Sequence, residues 1–136
     1  MKLELKHLST YLPYKLICLV DGKPAILNAI YTDDGSCCFH DLVESEKGFE
    51  SVKPILKPLS IFELLNIWNK YHLSDPDIRA FMSEHFLEEK GFKGLAQLLD
   101  YNPDWWPVGT LNLFAKYHFD IYGLISKDLA IDINKF

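Results

Sequence analysis

A chain of 136 residues, 49% hydrophobic, 14% aromatic and 24% charged, has the make-up of a single domain spanning 1–136 with extra aromatics, which excludes the polar, charge-heavy composition of disordered proteins. Nineteen acidic against 14 basic residues, with Arg79 the one arginine, disfavour direct nucleic-acid binding, which draws on several Arg and Lys on one face. Lys2, Glu4, Lys6 and His7 interrupt the apolar residues of the N-terminus, so neither export by a signal peptide nor a membrane span is expected.

Three cysteines, Cys18, Cys37 and Cys38, cannot all pair within one chain, and adjacent cysteines make a strained disulfide. Reduced thiols and a cytoplasmic location are therefore expected.

From Lys15 to Val43 the chain reads as a β-meander: KLICLV, a turn at Asp21-Gly22, KPAILNAIYT, a turn at Asp33-Asp34-Gly35-Ser36, then CCFHDLV. Asp-Gly between apolar, β-branched runs is a strong hairpin signal because the tight turn needs positive φ, which glycine adopts without steric cost. The next extended stretch, FESVKPILKPL, carries Pro54 and Pro58, which cannot donate to a ladder; the expectation is a sheet edge, or no sheet at all.

A helix is predicted from Ser60, with Glu63 completing a capping box and Ile61, Leu64, Leu65, Trp68 and Tyr71 or His72 inward. A second starts at Ser74, with Pro76 and two acids in its first turn, a stripe of Ile78, Phe81, Met82, His85 and Phe86, and a stop at Gly91. Phe92–Tyr101 reads as a short third helix. Thr110 is the expected cap of a fourth, with Leu113, Phe114, Tyr117 and His118 inward and Gly123 as its stop. Leu129, Ile131 and Ile133 alternate with Ala130 and Asp132 as in a closing strand with a buried face. The predicted class is α+β: a small antiparallel sheet of the meander plus the C-terminal strand, covered by about four short helices.

The opening KLELKHLSTYLPYKL, the middle ILKPLS and the closing HFDIYGLISKDLAIDIN resemble a family of small proteins encoded by phages and prophages. The resemblance covers about a quarter of the chain and implies a mobile-element accessory protein acting inside an infected cell, with the divergent middle carrying what is specific to each member. It brings no catalytic residue with it.

Chemical candidates are few. Cys38 and His40 share a strand face but sit roughly 6.5–7 Å apart along the backbone, far for a nucleophile and base, and the chain lacks paired-ligand spacing for a metal. His85 and His118 on apolar helix faces read most simply as core-rim residues with one ring nitrogen bonded to backbone. No phosphate-cradling, dinucleotide, zinc-protease or serine-hydrolase motif occurs, and no cofactor is expected.

The segment YNPDWWPVG is the interaction candidate. Tryptophan and tyrosine dominate interface hot spots because they offer large rigid area at small entropy cost. Trp105 and Trp106, with Tyr101 and Asp104 beside them and Glu84 and Glu88 one helical turn apart, are the expected protein-binding residues, suited to a basic groove. The simpler use of the two tryptophans is to fill a gap between the third and fourth helices, with one ring inward and one outward serving both ends. The function expected is that of a non-catalytic accessory factor binding a host or phage protein, most concretely an inhibitor of a host defence system such as a CRISPR effector nuclease. A small cysteine- or metal-dependent enzyme and a virion or replication component are the alternatives.

Overall fold

The computed structural model describes residues 3–31, 36–39, 46–48, 51–85, 97–100 and 102–136; the side chains of residues 31, 46, 47, 84 and 85 also lie outside the described set. Asp21 and Gly22 take φ of 51° and 84°, the type I′ pattern whose twist matches the strands it joins. These strands are β1 (Ile17–Val20) and β2 (Lys23–Tyr31), in register from Val20 opposite Lys23 to Ile17 opposite Ile26. β2 pairs onward with β3 (Ser36–Phe39), with a bulge between Leu27 and Ala29, and β3 with β4 (Glu46–Gly48), so the predicted meander forms. Asp33, Asp34, Gly35 and His40 lie outside the described residues.

The FESVKPILKPL segment departs from expectation. Val52–Leu56 forms β5, which lies inside the sheet between β1 and the short β6 (Ile131–Asp132) in the order β4-β3-β2-β1-β5-β6. The reason is register. The Asp21 N–H donates to Ser51 O, and alternation along the antiparallel ladder then puts Pro54, opposite Cys18, where an N–H would face away from β1. β6 begins only at Ile131, opposite Ile55, so the missing donor costs no ladder bond.

β6 corrects the expected closing strand in two ways. It runs parallel to β5, which makes the α+β sheet mixed, and Ala130 is the buried residue while Leu129 and Ile131 are half-buried and Ile133 is 43% exposed. The strand is too short to present an alternating face, and the chain turns into a 3-10 turn at Ile133–Lys135.

Helix α1 (Leu5–Ser9) opens the fold, and α2 (Ile61–Tyr71) follows β5. Ser60 caps α2 by accepting from the Glu63 N–H at 3.2 Å, while the Glu63 carboxylate, instead of reaching back, accepts from Asn134 Nδ2 at 3.1 Å. Leu64 and, unforeseen, Ile67 point into the core. Helix α3 (Pro76–His85) is capped by Asp75 rather than Ser74, through a 3.0 Å bond from the Asp77 N–H. Phe86, Gly91 and Phe92 lie outside the described residues; 97–100 form a helical turn, α4.

Helix α5 (Val108–Lys116) starts two residues before the expected cap, so Thr110 is buried inside its first turn. It ends at Lys116, well before Gly123, and His118, with φ of 60°, reverses the chain just beyond the Tyr117 cap. On its inner face Phe114, 1% exposed, meets Phe81 at 5.2 Å, Trp106 at 5.1 Å and Phe119 at 5.6 Å between ring centroids.

The opening, middle and closing stretches of the chain converge. The buried Tyr11 hydroxyl donates to Phe119 O and accepts from the Ile121 N–H at 3.1 Å, and Thr10 Oγ1 meets the Tyr122 hydroxyl at 2.8 Å. Lys57, from the middle stretch, donates its N–H to His118 O and accepts from the Asp120 N–H, both at 2.8 Å. Asp120, itself buried, caps the Leu124 and Ile125 N–H groups at 2.7 and 2.9 Å; burial pushes its carboxyl upward against the pull of those bonds.

Cys18 and Cys37 are fully buried, and burial raises both thiols, Cys37 to about 12, which keeps them protonated and unreactive. Cys38 is half-buried. Cys37→Ser, which places a hydroxyl in apolar surroundings, is expected to cost about 2 kcal/mol, and Cys38→Ser under about 0.5 kcal/mol. Urea unfolding of the two variants separates these outcomes, and equal losses would contradict the assignment.

Candidate protein-binding surface

The aromatic loop is ordered from within. The Asn102 side chain accepts from the Asp104 N–H at 3.0 Å, Pro103 supplies a helical φ, and Pro103–Trp105 form one 3-10 turn closed by the Trp106 N–H on Pro103 O at 3.1 Å. The backbone then becomes extended at Trp106, with φ −74° and ψ 146°, which turns the two indoles apart. Trp106 goes inward: it is 6% exposed, its Nε1–H donates to Leu98 O at 3.1 Å, and its ring meets Phe114 edge-on. Trp105 stands 83% exposed, and Val108, at the start of α5, 73% exposed.

Of the residues expected to bind a partner, the structure thus brings Trp105 and Asp104 together on the surface. Trp106 is corrected to a core residue, because α4 and α5 offer it an acceptor and an aromatic face that no surface position provides. Glu84 lies on α3 with its side chain outside the described set, and Tyr101 and Glu88 are also outside it. Asp100, exposed on α4, joins the candidate surface, and residues 97–110 contain no Lys, Arg or His to offset Asp100 and Asp104. An open groove of about 540 Å³ runs between α3 and α5, with Pro107, Gly109, Leu113, Phe81 and Asp77 in its walls.

A polar cluster that sequence reasoning missed lies nearby. Asp75, 7% exposed, accepts from Lys116 Nζ at 2.8 Å, from the Tyr117 hydroxyl and from the Asp77 N–H. Burial opposes its charge, but the bonds from Lys116, Tyr117 and the backbone prevail and pull the carboxyl down to about 2. Burial and the neighbouring carboxylate push the Tyr117 phenol up, and the bond to Asp75 raises Lys116. A carboxylate so engaged fastens α3 to α5, and the bonds that hold its pKa at about 2 make it a weak base. Asp75 and Lys116 are 41 positions apart, and no local pattern announces the pair.

His118 behaves as the expected core-rim residue, whereas the side chain of His85 lies outside the described set. His118 Nε2 bonds Tyr14 O at 2.7 Å, and burial lowers its pKa. His7 Nδ1 accepts from the Glu4 N–H at 2.9 Å, which fixes a neutral ring, again lowered by burial. His72 stacks on Trp68 at 4.6 Å with Nδ1 at 2.8 Å from Trp68 O. Among the described residues, no three His, Cys, Asp or Glu side chains come together as metal ligands, and no helix is long and apolar enough to cross a membrane.

No protein-family model, curated protein or solved structure matches the chain.

Proposed function

We propose that this chain is a non-catalytic protein-binding factor that docks through Trp105, flanked by Val108, Asp100 and Asp104, into a partner groove with basic and apolar character. One observation carries the reading: an 83% exposed tryptophan held by a proline-started turn whose next residue is locked in the core. A backbone fixed in this way leaves the indole only its two side-chain torsions to lose on binding, a low entropy cost that suits a hot-spot residue. The two carboxylates, unbalanced in their segment, favour a basic partner and suppress association with acidic surfaces. The engaged Asp75 carboxylate and the protonated buried thiols support a non-catalytic role.

The phage-like ends support a setting inside an infected bacterium, in the host cytoplasm, and inhibition of a host defence system such as a CRISPR effector nuclease is its concrete form. The test is capture of the tagged chain's partner from a bacterial host, followed by titration of the purified pair. Trp105→Ala is expected to weaken binding by about 2 kcal/mol, roughly 30-fold, at an unchanged melting temperature. Trp106→Phe is expected to lower stability by about 1 kcal/mol through loss of the Leu98 bond and to leave affinity unchanged. Full affinity in folded Trp105→Ala would overturn the reading, and a capsid protein as the partner would replace the defence role with a virion one.

A further inference from the structure

Lys57 belongs to the ILKPLS stretch and is half-buried, with its ammonium 5.8 Å from the Tyr117 ring centroid and 6.0 Å from that of Phe119. It lines an open cavity of about 580 Å³ with Tyr71, Ser74, Asp77, Lys116 and His118. Two other lysines have carboxylate partners: Lys116 is bound to Asp75, and Lys53 to Asp128 at 3.3 Å. Among the described residues the Lys57 ammonium meets only ring faces, and none of them accepts from its three N–H donors. A half-buried ammonium that faces an open cavity, with no anion bonded to it among the described residues, is placed to take its counter-charge from solution.

We infer that this cavity binds an oxyanion, a carboxylate or a phosphate, through the Lys57 ammonium. The other charges around it are consistent with that assignment. Asp75 has its oxygens committed to Lys116, Tyr117 and the Asp77 N–H, so it is not available to Lys57. Burial first, and the charge of Lys70 second, hold Lys57 below the usual lysine range, while Glu63 pulls weakly the other way and is itself bonded to Asn134. Asp77 is the one carboxylate in the cavity wall whose charge opposes an anion without a lysine bonded to it, which favours a ligand with a single anionic group over a polyanion. The Lys57 backbone is bonded on both sides to residues 118 and 120, so the site stands on a rigid part of the fold. It is separate from the Trp105 surface and does not depend on the function proposed for it.

The probes are sodium phosphate and sodium acetate, each titrated into the full chain at ionic strength held constant with chloride, with the backbone amides of residue 57 and of Phe119 and Asp120, which parent and variants share, followed by NMR. Saturable binding is expected that weakens about tenfold or more in Lys57→Gln and equally in Lys57→Met, which keeps the stem over the rings. Phosphate binding about tenfold tighter than acetate assigns a phosphate ligand; comparable affinities assign a carboxylate, such as an acidic side chain. Shifts that do not saturate in the unmodified chain, or that persist unchanged in either variant at an unaltered melting temperature, overturn the assignment.

Discussion

Phe114→Ala is expected to lower the unfolding free energy by about 4 kcal/mol, the middle of the range for deleting a buried phenylalanine. Phe114 is 1% exposed and is the ring on which Phe81 of α3, Trp106 of the aromatic loop and Phe119 of the closing stretch all pack. Three neighbours from separate elements cannot all collapse into the space one ring leaves, because each is held by its own backbone. Trp106 is tied to Leu98 O, and Phe119 O accepts from Tyr11. The cavity therefore persists, and lost contacts add to the lost transfer energy. For a chain of this length the melting temperature should fall by about 12 °C. Phe62→Ala removes the same atoms from a side chain 70% exposed and is expected to change stability by under about 0.5 kcal/mol. Urea denaturation of both checks the contrast; a Phe114→Ala loss below about 1 kcal/mol would show that the helices repack and that the aromatic cluster is not the centre of the core.

What the sequence reveals correctly is what short-range chemistry decides. The Asp21-Gly22 turn and the Ser60 cap are local events, complete within four residues, and both form as read. The α+β class follows from the same local signals in series. Where the outcome depends on partners distant in the chain, the reading fails in recognisable ways. Pro54 looks like an edge residue until the register opposite β1 and the late start of β6 are known. The Leu129–Ile133 alternation looks like a strand with one buried face, but only Ile131 and Asp132 pair, in parallel with β5, and Ala130 is what the core accepts. Helix α1 has five residues and mixes Leu5 and Leu8 with Lys6 and His7, too short for a period to show.

The candidate surface divides in the same way. Two tryptophans between prolines mark an ordered aromatic loop from sequence alone, but which indole turns inward is decided by Leu98 O and the Phe114 face, supplied by α4 and α5. The Asp75 cluster and the ring faces against Lys57 are invisible locally, since their neighbours arrive from residues 116–119.

Asp75 should make stability fall steeply in acid. Its folded pKa, about 2, lies below the ordinary 3.8, so ionised Asp75 favours the folded state; the contribution is present in full above about pH 4 and is lost as pH falls toward 2. At about 1.36 kcal/mol per unit the shift corresponds to about 2 kcal/mol, little reduced by solvent because the carboxylate is 8% exposed, although its partner Lys116 is 43% exposed. Asp120 acts in the opposite sense. Its folded pKa is raised by burial, so its contribution is full below the ordinary carboxylate value and fades as pH rises through the raised one, a window above that of Asp75. A single acid melt would mix the two. Asp75→Asn separates them, because Asp120 titrates alike in variant and parent. The variant is expected to be less stable by about 2 kcal/mol at pH 6, with the difference shrinking toward zero by about pH 2. Urea unfolding at several pH values measures it. A difference constant across that range would mean that the α3–α5 fastening depends on the shape of the side chain and not on its charge, and Lys116 and Tyr117 would then have to be held by some other group.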